Sequence, residues 1–255
     1  MTPHLDRAFL GAPLAHRALH DVRDGRPENS RAAIKAAIEH GYGIEIDVQL
    51  SADNAAMVFH DYALDRLAEG SGLVRAVSAS ALSNTPLRGV SEGIPDLPEV
   101  LGMVSGRVPL LIEIKDQDGA MGDRIGPLEA ATAAALEGYE GPVAVMSFNP
   151  HSVAHMRALC PDIPRGLVTS AYDPDDWPLP KAVCAHLREI PDYDRVGASF
   201  VSHEAADLAR PRIAELKARG ANILCWTIKS PEAEAEARKI AENVTFEGYL
   251  AAHPG

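Results

Sequence analysis

The run Gly43-Ile44-Glu45-Ile46-Asp47-Val48-Gln49 decides how the chain is read. Side chains of a β-strand alternate between its two faces. Ile44, Ile46 and Val48 share one face, and Glu45, Asp47 and Gln49 share the other. If the apolar face meets a layer of helices, both carboxylates turn to the opposite side of the sheet. Taken alone, the pattern also fits a strand with a solvated polar face. Two ionised carboxylates in an enclosed interior repel each other and lose hydration. A divalent cation relieves both costs, and Mg²⁺ or Ca²⁺ prefers oxygen ligands.

A second run, Pro109-Leu110-Leu111-Ile112-Glu113-Ile114-Lys115, repeats the logic. Glu113 and Lys115 share a face, opposite Ile112 and Ile114. They form either a structural ion pair or, in the functional reading, a third metal ligand and a phosphate contact. Two further runs end in histidine, Leu14-Ala15-His16-Arg17 and Met57-Val58-Phe59-His60-Asp61. Imidazole titrates near neutral pH and suits proton transfer. Arg17 reaches the same site as His16 only if the strand has already ended there. Its planar fork matches phosphate oxygens.

Around these runs, strand-like and helix-like segments alternate. The expected strands are 13–18, 43–50, 56–60, 109–115, 143–148, 165–169, 198–202 and 223–228. The expected helices are 30–40, 97–104, 128–136, 151–159, 181–189, 211–219 and 231–242. Such alternation builds a parallel sheet. Eight strands in 255 residues favour a closed (β/α)₈ TIM barrel over an open doubly wound sheet. One barrel domain over 1–255 is expected. Residues 61–93 exceed an ordinary connection and read as a small insertion after the third strand, beside the active site. Ser30 or Asn29 is placed to cap the first helix and Gly41 to end it.

Composition narrows the function classes. The net charge of -12 disfavours nucleic acid and anionic bilayers as partners. Apolar residues make up 46 % of the chain, enough for a large core. Cys160, Cys184 and Cys225 lack metal-type spacing and cannot all pair, which suits a reducing compartment. The N-terminus has no signal-like run, and no stretch reaches the roughly 18 apolar residues of a membrane span. A cytoplasmic protein without stable membrane association is expected. His151 and His155 share a helix face but lack a third ligand. The segment Asp116-Gln117-Asp118-Gly119 reads as a turn. His203 reads as a surface-loop residue rather than a pocket residue.

The ordered set His16-Arg17, Pro27-Glu28-Asn29-Ser30, Glu45-Ile46-Asp47-Val48, His60-Asp61, Ile112-Glu113-Ile114-Lys115, Ser147-Phe148 and Trp226-Thr227 resembles the glycerophosphodiester phosphodiesterase family. The resemblance implies a metal-dependent barrel that hydrolyses glycerophosphodiesters to glycerol 3-phosphate and an alcohol. By motif, it implies Glu45, Asp47 and Glu113 as ligands of one divalent metal, Mg²⁺ or Ca²⁺. It implies His16 and His60 as the acid–base pair and Arg17 and Lys115 as phosphate contacts. Glu28 becomes a polar wall of the pocket and Trp226 a lining residue. The sequence departs from the family where Ala18 stands in place of the usual Gly, where 19–26 lengthens the first loop, and where Phe246-Glu247-Gly248-Tyr249 replaces a Thr-Asp-Xaa-Pro style ending. Alternatives are a lysophospholipase D-like enzyme, whose apolar ramp is not evident in 61–93, and a non-catalytic phosphate-binding barrel. The complete set of histidines and acids argues against the latter.

Overall fold

The computed structural model describes residues 2–254. In chain order its elements are β1 (Leu14–Ala15), α1 (Arg31–Glu39), β2 (Gly43–Leu50), β3 (Ala56–Val58), α2 (Ala79–Ser83), α3 (Leu97–Val104), β4 (Leu110–Ile114) and α4 (Pro127–Leu136). There follow β5 (Val143–Ser147), α5 (Pro150–Leu159), β6 (Arg165–Thr169), α6 (Lys181–Arg188), β7 (Phe200–Glu204), α7 (Pro211–Ala218), β8 (Asn222–Ile228), α8 (Pro231–Ala237) and β9 (Asn243–Phe246). Strands β1, β2 and β4 to β9 run parallel, and β1 closes the ring by pairing with both β9 and β2. The fold is the (β/α)₈ barrel.

Strand membership differs from the sequence expectation at two places. The segment expected as the third barrel strand, 56–60, is β3, and it pairs antiparallel with β2 through Val48–Val58. The cause is the short connection at 51–55, since a parallel crossover needs about a dozen residues. The eighth barrel strand is instead β9. The sequence reading hid it by running the last helix to Glu242, whereas α8 stops at Ala237.

The alternation in β2 sorts the two cores. Ile44, Ile46 and Val48 are buried among helix residues such as Ile34, Leu97 and Val100. The barrel interior is apolar at its base, where Leu14, Leu111, Phe200 and Leu224 meet Leu5 and Phe9 of the N-terminal segment. Charge fills the opposite end. Caps fall where the residue types place them: the Ser30 hydroxyl accepts from Ala33 N at 3.1 Å, and Ser230 does the same for Ala233 N at 3.2 Å. Segment 61–93 packs its own apolar cluster, with Leu64, Val74, Leu82 and Leu87 against Met57 and Phe59 of the β3 region.

The first barrel loop departs from ordinary backbone at two adjacent residues. Arg17 has φ 52° and Ala18 has φ 64°. The left-handed region costs an alanine roughly 1 kcal/mol or more relative to its usual conformation. Ala18 bears that cost with its methyl buried in the helix-facing core. Its N–H donates to Glu45 O at 2.9 Å, which holds the turn. No helix among the described residues is long and apolar enough to cross a membrane.

Candidate active site

β1 ends at Ala15, so the condition on Arg17 is met. The left-handed turn brings Arg17 to the same mouth as His16. The two residues share one cavity of about 100 Å³ with Glu45, His60, Glu113, Lys115 and Trp226. The cavity sits at the C-terminal ends of the strands, where (β/α)₈ enzymes place their chemistry.

Parallel pairing sets Asp47 directly beside Glu113. One oxygen from each of Glu45, Asp47 and Glu113 lies within 4.8 Å of the others, and all three residues are buried. Metal–oxygen bonds of about 2.0–2.6 Å let two ligands of one ion stand at most about 5 Å apart. These carboxylates fit a divalent cation. Lys115 Nζ bridges Asp47 Oδ1 and Glu113 Oε1, each at 2.7 Å. Asn29 Nδ2 donates to Asp47 Oδ2 at 3.0 Å, and Arg17 N donates to Glu45 Oε2 at 2.9 Å.

The electrostatics of the cluster are uneven. Burial, with the charges of Asp47 and Glu113, drives the Glu45 carboxyl well above the usual range. Burial also raises Glu113, against the pull of Lys115. For Asp47, burial alone would raise the carboxyl, but Lys115, His60 and Arg17 together outweigh it and hold it low. Lys115 is raised because Asp47 and Glu113 overcome the cost of its burial. All three carboxylates ionised together would carry more buried negative charge than Lys115 neutralises, so burial holds Glu45 and Glu113 toward the neutral form, and a bound cation would favour their ionised forms.

Each histidine is backed by its own carboxylate. His16 Nδ1 donates to Glu247 Oε2 at 2.6 Å, and His60 Nδ1 donates to Asp61 Oδ1 at 2.7 Å. A carboxylate accepting at Nδ1 fixes the tautomer and leaves Nε2 as the free nitrogen. Glu247 is held well below the usual range by the hydrogen bond from His16, by His20, whose Nε2 is 3.6 Å from Oε2, and by Lys229, whose Nζ is 2.8 Å from Oε1. Asp61 is clamped by Arg66 at 2.6 Å. Burial lowers both imidazoles from the usual 6.5. For His16 the Glu247 hydrogen bond opposes this; for His60 the Lys115 charge adds to it.

Glu28 is not on the cavity wall. It stands behind Arg17, accepting from Nη1 at 2.8 Å, and also accepts from Arg66 at 3.0 Å. Arg17 Nε is buried without a hydrogen-bond acceptor, with Asp47 Oδ2 at 3.7 Å. Trp226 lines the cavity, donates Nε1 to Ser202 O at 3.0 Å and meets Phe148 edge-on at 5.5 Å.

Sequence reasoning missed Glu247, which is 231 residues from His16 and sits one residue past an unrecognised strand. It also left Arg66 and Gln49 unassigned. His203 is corrected: β7 extends to Glu204, so His203 is fully buried, between Thr169 Oγ1 at 2.7 Å and Asp207 at 3.2 Å.

Residues 16–247 match the Glycerophosphoryl diester phosphodiesterase family. The chain is 28 % identical over 232 residues to the YhdW protein of Bacillus subtilis (strain 168), covering 88 % of each. It is 30 % identical over 161 residues to a glycerophosphodiester phosphodiesterase of Caldanaerobacter subterraneus subsp. tengcongensis, covering 59 % of this chain and 65 % of that one. Among solved structures, an Oleispira antarctica phosphodiesterase holding its product sn-glycerol-3-phosphate superposes with TM-score 0.76 at 25 % identity over 94 % of both chains.

Proposed function

We propose, from the premise that this chain belongs to the glycerophosphoryl diester phosphodiesterase family, that it hydrolyses water-soluble glycerophosphodiesters to glycerol 3-phosphate and an alcohol. The observation that carries the reading is one cavity lined by two carboxylate-backed histidines, an arginine, and two acids of a three-carboxylate cluster. The solved Oleispira relative with sn-glycerol-3-phosphate supports the product assignment.

In this reading Glu45, Asp47 and Glu113 hold one divalent cation, Mg²⁺ or Ca²⁺. Bound there, the cation supplies Lewis-acid stabilisation of phosphoryl charge. Arg17 and Lys115 bind and orient the phosphate. One imidazole takes a proton from the attacking hydroxyl, either water or the neighbouring hydroxyl of the glycerol. The other gives a proton to the departing alkoxide as its P–O bond breaks. Attack by water gives glycerol 3-phosphate directly; attack by the glycerol hydroxyl gives a cyclic phosphate, which water then opens to glycerol 3-phosphate with the two imidazoles in exchanged roles. Arrival of the anionic diester raises both imidazole pKa values, which favours the protonated form in the one that donates. Segment 61–93 contributes Arg66, which braces Asp61 and Glu28 beside the site.

The test is a product assay. Glycerol 3-phosphate should appear from glycerophosphocholine or glycerophosphoethanolamine. A buried acyl chain contributes about 0.8 kcal/mol per CH₂, so an enzyme for lysolipids would favour lysophosphatidylcholine by orders of magnitude. A clear lysolipid preference below micelle-forming concentration would replace this reading with the lysophospholipase D-like one. Metal binding without turnover of any diester would leave only a phosphate-binding barrel.

Glu247 gives a sharper check on His16. A hydrogen bond to a charged group contributes about 1.5–3 kcal/mol. At 1.36 kcal/mol per tenfold, Glu247→Ala should lower kcat roughly 10–150-fold. Nitrogen NMR of His16 should show loss of the Nδ1–H tautomer. An unchanged tautomer with normal kcat would remove Glu247 from the mechanism.

A further inference from the structure

The cavity holding the two histidines has about 100 Å³. Its histidines, Arg17, Lys115 and acids suit a phosphate, so the two substituents of a diester lie against the surfaces around it. A groove of about 250 Å³ adjoins it, lined by Gln49, Tyr62, Leu73, Arg75 and the Asp116–Gly119 turn.

The two spaces share a wall. Gln49 follows Asp47 by two residues on the same face of β2, and Asp116 follows Lys115 at the end of β4. Gln49 Nε2 donates to His60 O at 3.0 Å. Gln117 Nε2 donates to Lys115 O at 3.1 Å and to Gln49 Oε1 at 2.9 Å. Tyr62 stands two residues beyond His60. The groove opens on the His60 and Lys115 side of the phosphate cavity.

Its charges are also unequal. Asp116 is spent on its own turn, accepting backbone N–H groups from Asp118, Gly119 and Met121 at 2.9–3.1 Å and Asn149 Nδ2 at 2.8 Å. Asp118 accepts from Ala120 and Gly122 and pairs with Arg124 at 2.7 Å. Arg75 is exposed and, among the described residues, has no carboxylate or hydrogen-bond partner. Tyr62 and Leu73 are 51 % and 45 % exposed, an apolar floor with nothing packed on it. The free charge facing the groove is positive.

We propose that this groove receives the leaving alcohol and that Arg75 selects diesters whose alcohol carries its own anionic group. The proposal rests on the reading that the neighbouring cavity binds a phosphodiester. The Tyr62 ring offers a face for a quaternary ammonium, but Arg75 in the same groove repels it.

A matched series of glycerophosphodiesters tests this, with the alcohol as 3-hydroxypropanoate, 1,3-propanediol or 3-aminopropanol. The wild type should rank them anionic, neutral, cationic by kcat/KM, with the difference in KM. An exposed charge pair contributes about 0.2–1 kcal/mol, and reversing its sign counts twice. Arg75→Glu should therefore shift the anionic-to-cationic ratio roughly tenfold toward the cation, and Arg75→Lys should keep the wild-type order. An unchanged ratio in Arg75→Glu overturns the proposal. An equal loss across all three also overturns it, since that places the glycerol end in the groove. If the wild type turns over none of them or any other glycerophosphodiester, the proposed function itself falls and this subsite with it.

Discussion

Replacing His16 or His60 by alanine is expected to lower kcat by roughly 10²–10⁴-fold while the protein stays folded. Both rings line the same cavity, and each is fixed at Nδ1 by a carboxylate. The pH dependence follows with a definite sign. Each folded imidazole has a pKa below the usual 6.5, so the native state binds fewer protons than the unfolded chain. Their contribution to stability is present above pH 6.5 and is lost as the pH falls from there toward the folded values. Urea midpoints measured from pH 7.5 to 5 should fall on acidification, with a shallower slope in His16→Ala. Single-turnover assays of the two variants decide the catalytic claim. Near-normal turnover in either, with metal still bound, would exclude that residue from proton transfer.

The second large effect concerns the carboxylate cluster. Chelation should reduce turnover by at least roughly 10²–10³-fold, the scale on which losing one preorganised charge-stabilising group is felt. Lys115→Met should be severe in a different way. Among the described residues, Lys115 is the one cation bonded to both Asp47 and Glu113, and removing one member of a buried charged set costs about 3–5 kcal/mol. The loss should be largest in chelator and smaller with saturating Mg²⁺ or Ca²⁺, because a ligand bound only to the native state stabilises it by mass action. Thermal unfolding with and without cation reads this directly. If neither cation shifts the midpoint of the wild type, the three carboxylates do not form a metal site.

Much of this was legible before any coordinates. The period-two pattern of Glu45, Asp47 and Glu113 against Ile44, Ile46, Ile112 and Ile114 put the acids on the face opposite the isoleucines, while the register that sets Asp47 against Glu113 came with the pairing of β2 and β4. Local patterning carries this because strand alternation and helix exclusion act residue by residue. It also carried the cap at Ser30, one of the two candidates, and the barrel architecture.

What the tertiary structure decided lies in contacts that no local pattern encodes. The 51–55 connection turned β3 back as a hairpin and gave the eighth place in the barrel to β9. That closure carried Glu247 to within 2.6 Å of His16. The left-handed turn at Arg17 and Ala18 set the guanidinium over the carboxylates, at 3.7 Å from Asp47. Arg66, from a segment readable only as an insertion, braced both Asp61 and Glu28. The sequence by itself determined which residue types share a face, because alternation depends on each strand alone. Which acid orients which histidine depends on ring closure, a property of all eight strands together, and was decided only when the chain came around on itself.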